Sequence, residues 1–123
     1  MITGAHFLMY SKDAEADRAF FRDVLGFRTV DIGHGWLIFG LPPAEMAVHP
    51  HAENFVLAEH GQPLTGAVLY LMCDDLHSYL ASLGAKGVKS SAVMEADWGI
   101  AATIPLPGGG GIGVYQPKHP TAI

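Results

Sequence analysis

The feature that most limits how this chain can fold is an internal repetition: two stretches half a chain apart carry the same order of elements. In each, a short apolar run (residues 3–11 and 65–73) ends at an aspartate, an amphipathic stretch follows, glycine stops it, and three more short apolar runs come next. In the first copy Ala16, Phe20 and Val24 recur every four residues, with Phe21 and Leu25 one position on, which is one apolar stripe of a helix. In the second, Leu76, Tyr79, Leu80 and Leu83 sit at i, i+3, i+4 and i+7. Asp13 and Asp75 are placed to cap these helices, Glu15 and Asp17 suit the positive end of the first, and Gly26, Gly84 and Gly87 follow as stops. Such caps and stops recur by chance in many α+β chains; agreement of order and spacing together favours duplication.

The strands expected around the first helix are residues 3–11, then 27–32 and 36–41 joined through Gly33-His34-Gly35, then 44–49 after Pro42-Pro43. The second copy offers 65–73, 88–94, 98–104 and 112–116, with residues 105–111 as its last turn. The expected fold class is therefore α+β: two βαβββ modules, residues 3–50 and 65–117, joined by a linker over 51–64 that has neither helical nor strand period. Together they make one domain, since a 123-residue chain sits at the commonest domain size.

Composition excludes several function classes. One cysteine rules out a disulfide framework and a Cys-rich zinc module, which makes the cytoplasm the default compartment. A net charge of −5 repels polyphosphate and anionic lipid, so neither nucleic acid nor a membrane is an expected partner. The longest uncharged stretch, residues 98–116, is broken by Pro105, Pro107 and four successive glycines and cannot be a spanning helix. The opening residues lack a basic segment and a small-residue cleavage site.

A single module covers one sheet face with its helix and leaves the other bare, so two modules should enclose their bare faces as a half-open cup. Strand alternation then places His6, Leu8 and Tyr10 on the cup side, with Glu45, Ala47 and His49. In the second copy Val68, Tyr70 and Met72 occupy the matching side, with Gly111, Gly113 and Tyr115. Apolar walls with few polar groups suit a small organic molecule. His6, Trp36, His49, Tyr70, Trp98 and Tyr115 are the candidate ligand-binding residues. Glu45 is the candidate general base and Tyr70 a candidate acid, if chemistry occurs. Core packing, or a surface position for Glu45, is the competing role for each.

Three segments, HFLMYSKDAEADRAFFRDVLGF, VLYLMCDDLHSYLASLGAKGV and LPGGGGIGVYQP, resemble the glyoxalase/bleomycin resistance/dioxygenase (vicinal oxygen chelate) superfamily over nearly the whole chain. The resemblance implies paired βαβββ modules around a cavity, assembly as a homodimer, and either metal-dependent lyases, isomerases and dioxygenases or metal-free drug-binding proteins. It further implies metal ligands on the first and last strands of each module. His6 matches one such position and His49 lies near another, but Val68 and Gly113 stand at the remaining two, where no side chain can coordinate. The leading expectation is thus ligand binding without a complete metal site. The alternative is a lyase, isomerase or extradiol-type dioxygenase using His6, His49 and Glu45 with iron, manganese, nickel or zinc. Other motifs fail. His51-Ala52-Glu53 lacks the cysteine pair of zinc deaminases, the four-glycine run leads into a strand instead of a helix, and acids beside Cys73 disfavour its thiolate.

Overall fold

A computed structural model describes residue 1, residues 4–48, 55–57, 61 and 63–123. In chain order the elements are α1 (Ala14–Asp23), β1 (Thr29–Asp31), β2 (Leu37–Phe39), β3 (Phe55–Leu57), β4 (Pro63–Thr65), β5 (Tyr70–Met72), α2 (Leu76–Ala85), β6 (Met94–Ala96), β7 (Gly99–Pro105) and β8 (Gly111–Pro117). The chain forms two compact units: residues 1–40 with 105–111, and residues 41–104 with 112–123.

Both helices begin as their sequences dictate. The Asp13 carboxylate accepts from the Ala16 amide at 3.1 Å, and the Asp75 carboxylate from the Ser78 amide at 3.0 Å, satisfying donors that no helical carbonyl can reach. The Ser78 contacts hold the Asp75 carboxyl below its ordinary range. In the first unit α1 buries Phe20 and Phe21, and the Phe21 ring meets Phe27 at 5.6 Å and Phe39 at 5.8 Å. The expected hairpin forms as β1 against β2, with Val30 opposite Ile38. Its turn takes positive φ at Gly33, His34 and Gly35, and the His34 value of 54° lies in a region costly for a side chain.

The second unit holds the βαβββ order as β5-α2-β6-β7-β8, with the strand expected over residues 65–73 shortened to Tyr70–Met72. β5 runs parallel to β8, and the sheet order is β5-β8-β7-β6, so α2 leads from β5 at one edge to β6 at the other. Leu76 and Leu83 of α2 are buried, as are Ile104, Ile112 and Val114 of the sheet. On β8 this assigns Ile112 and Val114 to the helix side and Gly113 and Tyr115 to the opposite face.

Four differences from the sequence expectations have physical causes. Residues 4–11 and 41–48 form no ladder among the described residues, because a strand exists only when another edge supplies its hydrogen bonds. Across the expected linker and its far end, β3 and β4 pair antiparallel, Val56 opposite Leu64. The expected strand over 88–94 is displaced to Met94–Ala96; Ser91 contacts Thr103 by a single backbone bond and a hydroxyl. Trp36 and Trp98 sit immediately before β2 and β7 instead of within them.

Candidate ligand site

The bare sheet face of the second unit gathers four of the sequence-selected residues. Tyr70 on β5 stands opposite Gly113 on β8, and a side-chain carbon added at Gly113 would overlap the Tyr70 ring. Glycine at 113 is thus what lets that ring lie across the sheet. The Tyr70 and Tyr115 rings meet edge to face at 5.7 Å, and Trp98 meets Tyr115 at 5.9 Å and 74°. Tyr70 and Trp98 remain more than two-fifths exposed, so the cluster presents aromatic surface to solvent. Glu45 completes it. Burial first, then the Glu45 charge and hydrogen bond, pushes the Tyr115 phenol above its ordinary range.

Residues 118–123 also belong to this face, and strand alternation gave no signal for them. The Lys118 amide donates to the Trp98 carbonyl at 2.8 Å, and its ammonium pairs with Glu95 at 2.7 Å. The His119 ring lies beside Tyr115, with centroids 6.1 Å apart and planes 30° apart. The Ala122 amide donates to the Glu45 carboxylate at 2.6 Å. A histidine four residues beyond a cup-facing tyrosine is the one sequence pattern that hints at this. Cys73, beside the same strands, has its thiol pushed up by burial and by Asp74 and Asp75, which leaves it a poor nucleophile.

Other candidates lie elsewhere. His6 is exposed in the first unit. Trp36 belongs to that unit too, with the Arg18 guanidinium 4.7 Å from its ring centre. His49 lies outside the described residues. The first unit also holds a cavity of about 300 Å³ between Tyr10, Lys12 and the glycine turn 108–111. That turn is pinned by the buried Asp17, whose carboxylate accepts from the Gly108 amide at 2.7 Å. A side chain at Gly108 would strike Ser11 Oγ and the Asp17 carboxylate.

The described residues do not fit the superfamily's metal centre. The Tyr70 ring occupies the space that a donor side chain at 113 would need, and Val68 offers no donor atom. Among the described residues no three His, Cys, Asp or Glu side chains converge on one point.

The model of the Glyoxalase/Bleomycin resistance protein/Dioxygenase superfamily matches residues 4–100, and the chain belongs to that superfamily. Among solved structures it is similar to TnmS3, an antibiotic binding protein from Streptomyces sp. CB03234, with a TM-score of 0.64 and 23% identity over 96% of this chain and 100% of that one. It is also similar to a lactoylglutathione lyase from Agrobacterium tumefaciens, at TM-score 0.59 and 17% identity over 88% of each chain. A third, a glyoxalase/bleomycin resistance/dioxygenase protein from Nocardioides, matches at TM-score 0.57 and 13% identity over 99% of this chain and 91% of that one. A search of curated proteins finds no match. These likenesses establish the glyoxalase-like α+β fold. Among the described residues no helix is long and apolar enough to cross a membrane.

Proposed function

We propose that this chain binds a small, partly aromatic organic molecule on the Tyr70–Trp98–Tyr115 face, with Glu45 fixing a polar group, and that it does so without a complete metal site. One observation carries the reading: three aromatic rings in edge contact, two of them substantially exposed, share a sheet face with a carboxylate that no lysine or arginine neutralises among the described residues. Aromatic faces supply stacking area and the carboxylate supplies orientation, the usual division of labour in a small-molecule site. Binding, rather than turnover, is the activity we assign. Tyr115, whose phenol is held protonated, acts as a hydrogen-bond donor.

The working form is a homodimer. In the first unit Leu8 and Tyr10 are 58% and 62% exposed on a segment whose backbone has no ladder partner among the described residues, and a second copy of this chain supplies an edge of matching apolar character. A cytoplasmic setting suits the single, partly buried free thiol of Cys73.

The test is fluorescence titration of a Trp36→Phe variant, which leaves Trp98 as reporter, against a panel of aromatic small molecules. Saturable quenching lost in Tyr115→Ala and unchanged by exhaustive EDTA is the expected result. Binding abolished by EDTA, with near-stoichiometric metal lost on His6→Ala, would overturn it in favour of the metal-dependent lyase or dioxygenase that uses His6, His49 and Glu45.

A further inference from the structure

Residues 118–123 reach the surface assigned above to the ligand, and His119 and Ala122 contact two of its recognition groups, Tyr115 and Glu45. The His119 ring lies beside Tyr115 at its hydroxyl end, with centroids 6.1 Å apart. Its Nδ1 lies 2.8 Å from the Pro120 carbonyl oxygen, which can only accept, so Nδ1 carries a hydrogen, and Nε2 lies 3.4 Å from the Tyr115 hydroxyl. The Ala122 N–H meets the Glu45 carboxylate at 2.6 Å, a short, charge-assisted hydrogen bond. The Lys118 amide on the Trp98 carbonyl and its ammonium on Glu95 fix where the segment leaves β8. A flat nitrogen heterocycle and an N–H donor are therefore presented together to Tyr115 and Glu45.

Resting on the ligand-binding reading, we infer that residues 118–123 are an intramolecular stand-in for the ligand: the site takes a molecule that joins a flat aromatic ring to an N–H-bearing amine, and that molecule competes with the segment. Charge chooses the amine. The segment offers Glu45 a neutral amide, and among the described residues no Lys or Arg pairs with that carboxylate, whereas an ammonium adds a full opposite charge at the same point. Displacement is feasible because the segment is held by a few polar contacts and one ring contact at a largely exposed stretch, each of modest net worth.

The experiment uses the full chain, its Ala122→Pro variant, which removes the N–H that Glu45 accepts, and a His119→Ala/Ala122→Pro double variant. The probe is tryptamine, compared with indole-3-acetate, which carries the same ring on an acid. Amide hydrogen exchange and the Trp98 indole resonance are followed by NMR. The expected result is a protected Ala122 amide in the full chain that loses protection as tryptamine saturates, with roughly threefold to tenfold tighter tryptamine binding in the double variant. Glu45→Gln should erase the preference for tryptamine over indole-3-acetate. An Ala122 amide exchanging at the free-coil rate overturns the inference whatever binds. Equal tryptamine affinity in the full chain and the double variant, with Trp98 still shifting, overturns the competition while leaving the ligand site standing. If no aromatic molecule moves Trp98 in any chain, the ligand-binding reading falls and this inference with it.

Discussion

The two modules start from one grammar and end differently. The second closes a four-stranded sheet, with α2 leading from β5 at one edge to β6 at the other, and buries Leu76, Ile104 and Val114 completely. The first builds a capped helix and a two-stranded hairpin, while residues 4–11 and 41–48 stay outside any ladder among the described residues. Equal helix caps and equal apolar alternation therefore do not make equal sheets. A strand's hydrogen bonds are supplied by a neighbouring edge, and the pattern along one strand does not say which edge that is.

The largest expected effect breaks the completed module. Leu76→Ala or Ile104→Ala removes a fully buried side chain and should cost about 2–5 kcal/mol of unfolding free energy, read by urea denaturation. Leu8→Ala in the first module removes an exposed side chain and should move the same measurement by only about 0.5 kcal/mol or less in a dilute monomer. Its effect belongs to assembly. Leu8→Asp with Tyr10→Asp should shift the dimer to monomer in sedimentation velocity, and an unchanged sedimentation coefficient would remove this segment from the interface.

Next in size is the Tyr70 and Gly113 pair. Gly113→Ala forces a carbon into the Tyr70 ring and should destabilise by about 1–3 kcal/mol, with much of the loss recovered when Tyr70→Ala is added. No recovery in that double-mutant cycle would mean that glycine at 113 serves something other than the ring. Smaller again is the first cap, where Asp13→Ala should cost about 1 kcal/mol.

The smallest effect is a pH dependence. Since Tyr115 titrates above an ordinary phenol, through burial and then Glu45, its folded form binds a proton that the unfolded chain has released. Stability from this group is intact below the unfolded phenol value near 10 and is lost as pH climbs through the raised folded one. Glu45→Gln should lower the Tyr115 midpoint in an ultraviolet phenolate titration. A midpoint that stays put would separate the two groups.

Local signals explain what was legible in the sequence. Asp13, Asp75 and the four-residue spacing of Ala16, Phe20 and Val24 act within one or two turns, so both helices were readable. Alternation likewise separated Gly113 and Tyr115 from Ile112 and Val114 on β8. The pairing of residues 55–57 with 63–65 was not legible, because Pro63 reads as a break while its position pairs with Leu57 in the ladder. Nor was the docking of residues 118–123 on Glu45. That contact spans 77 positions and uses a backbone amide, which leaves no mark on residue type.

The central claim is that the bare face of the second module, and not the first unit, receives the ligand. Chemical-shift mapping of the full chain with tryptamine tests it most directly. The account predicts the largest changes at the Trp98 indole, the Tyr70 and Tyr115 rings and the Ala122 amide, with Trp36 and the 108–111 turn unmoved. Changes concentrated at Trp36, Lys12 and the glycine turn, with Trp98 and Tyr115 still, would contradict it.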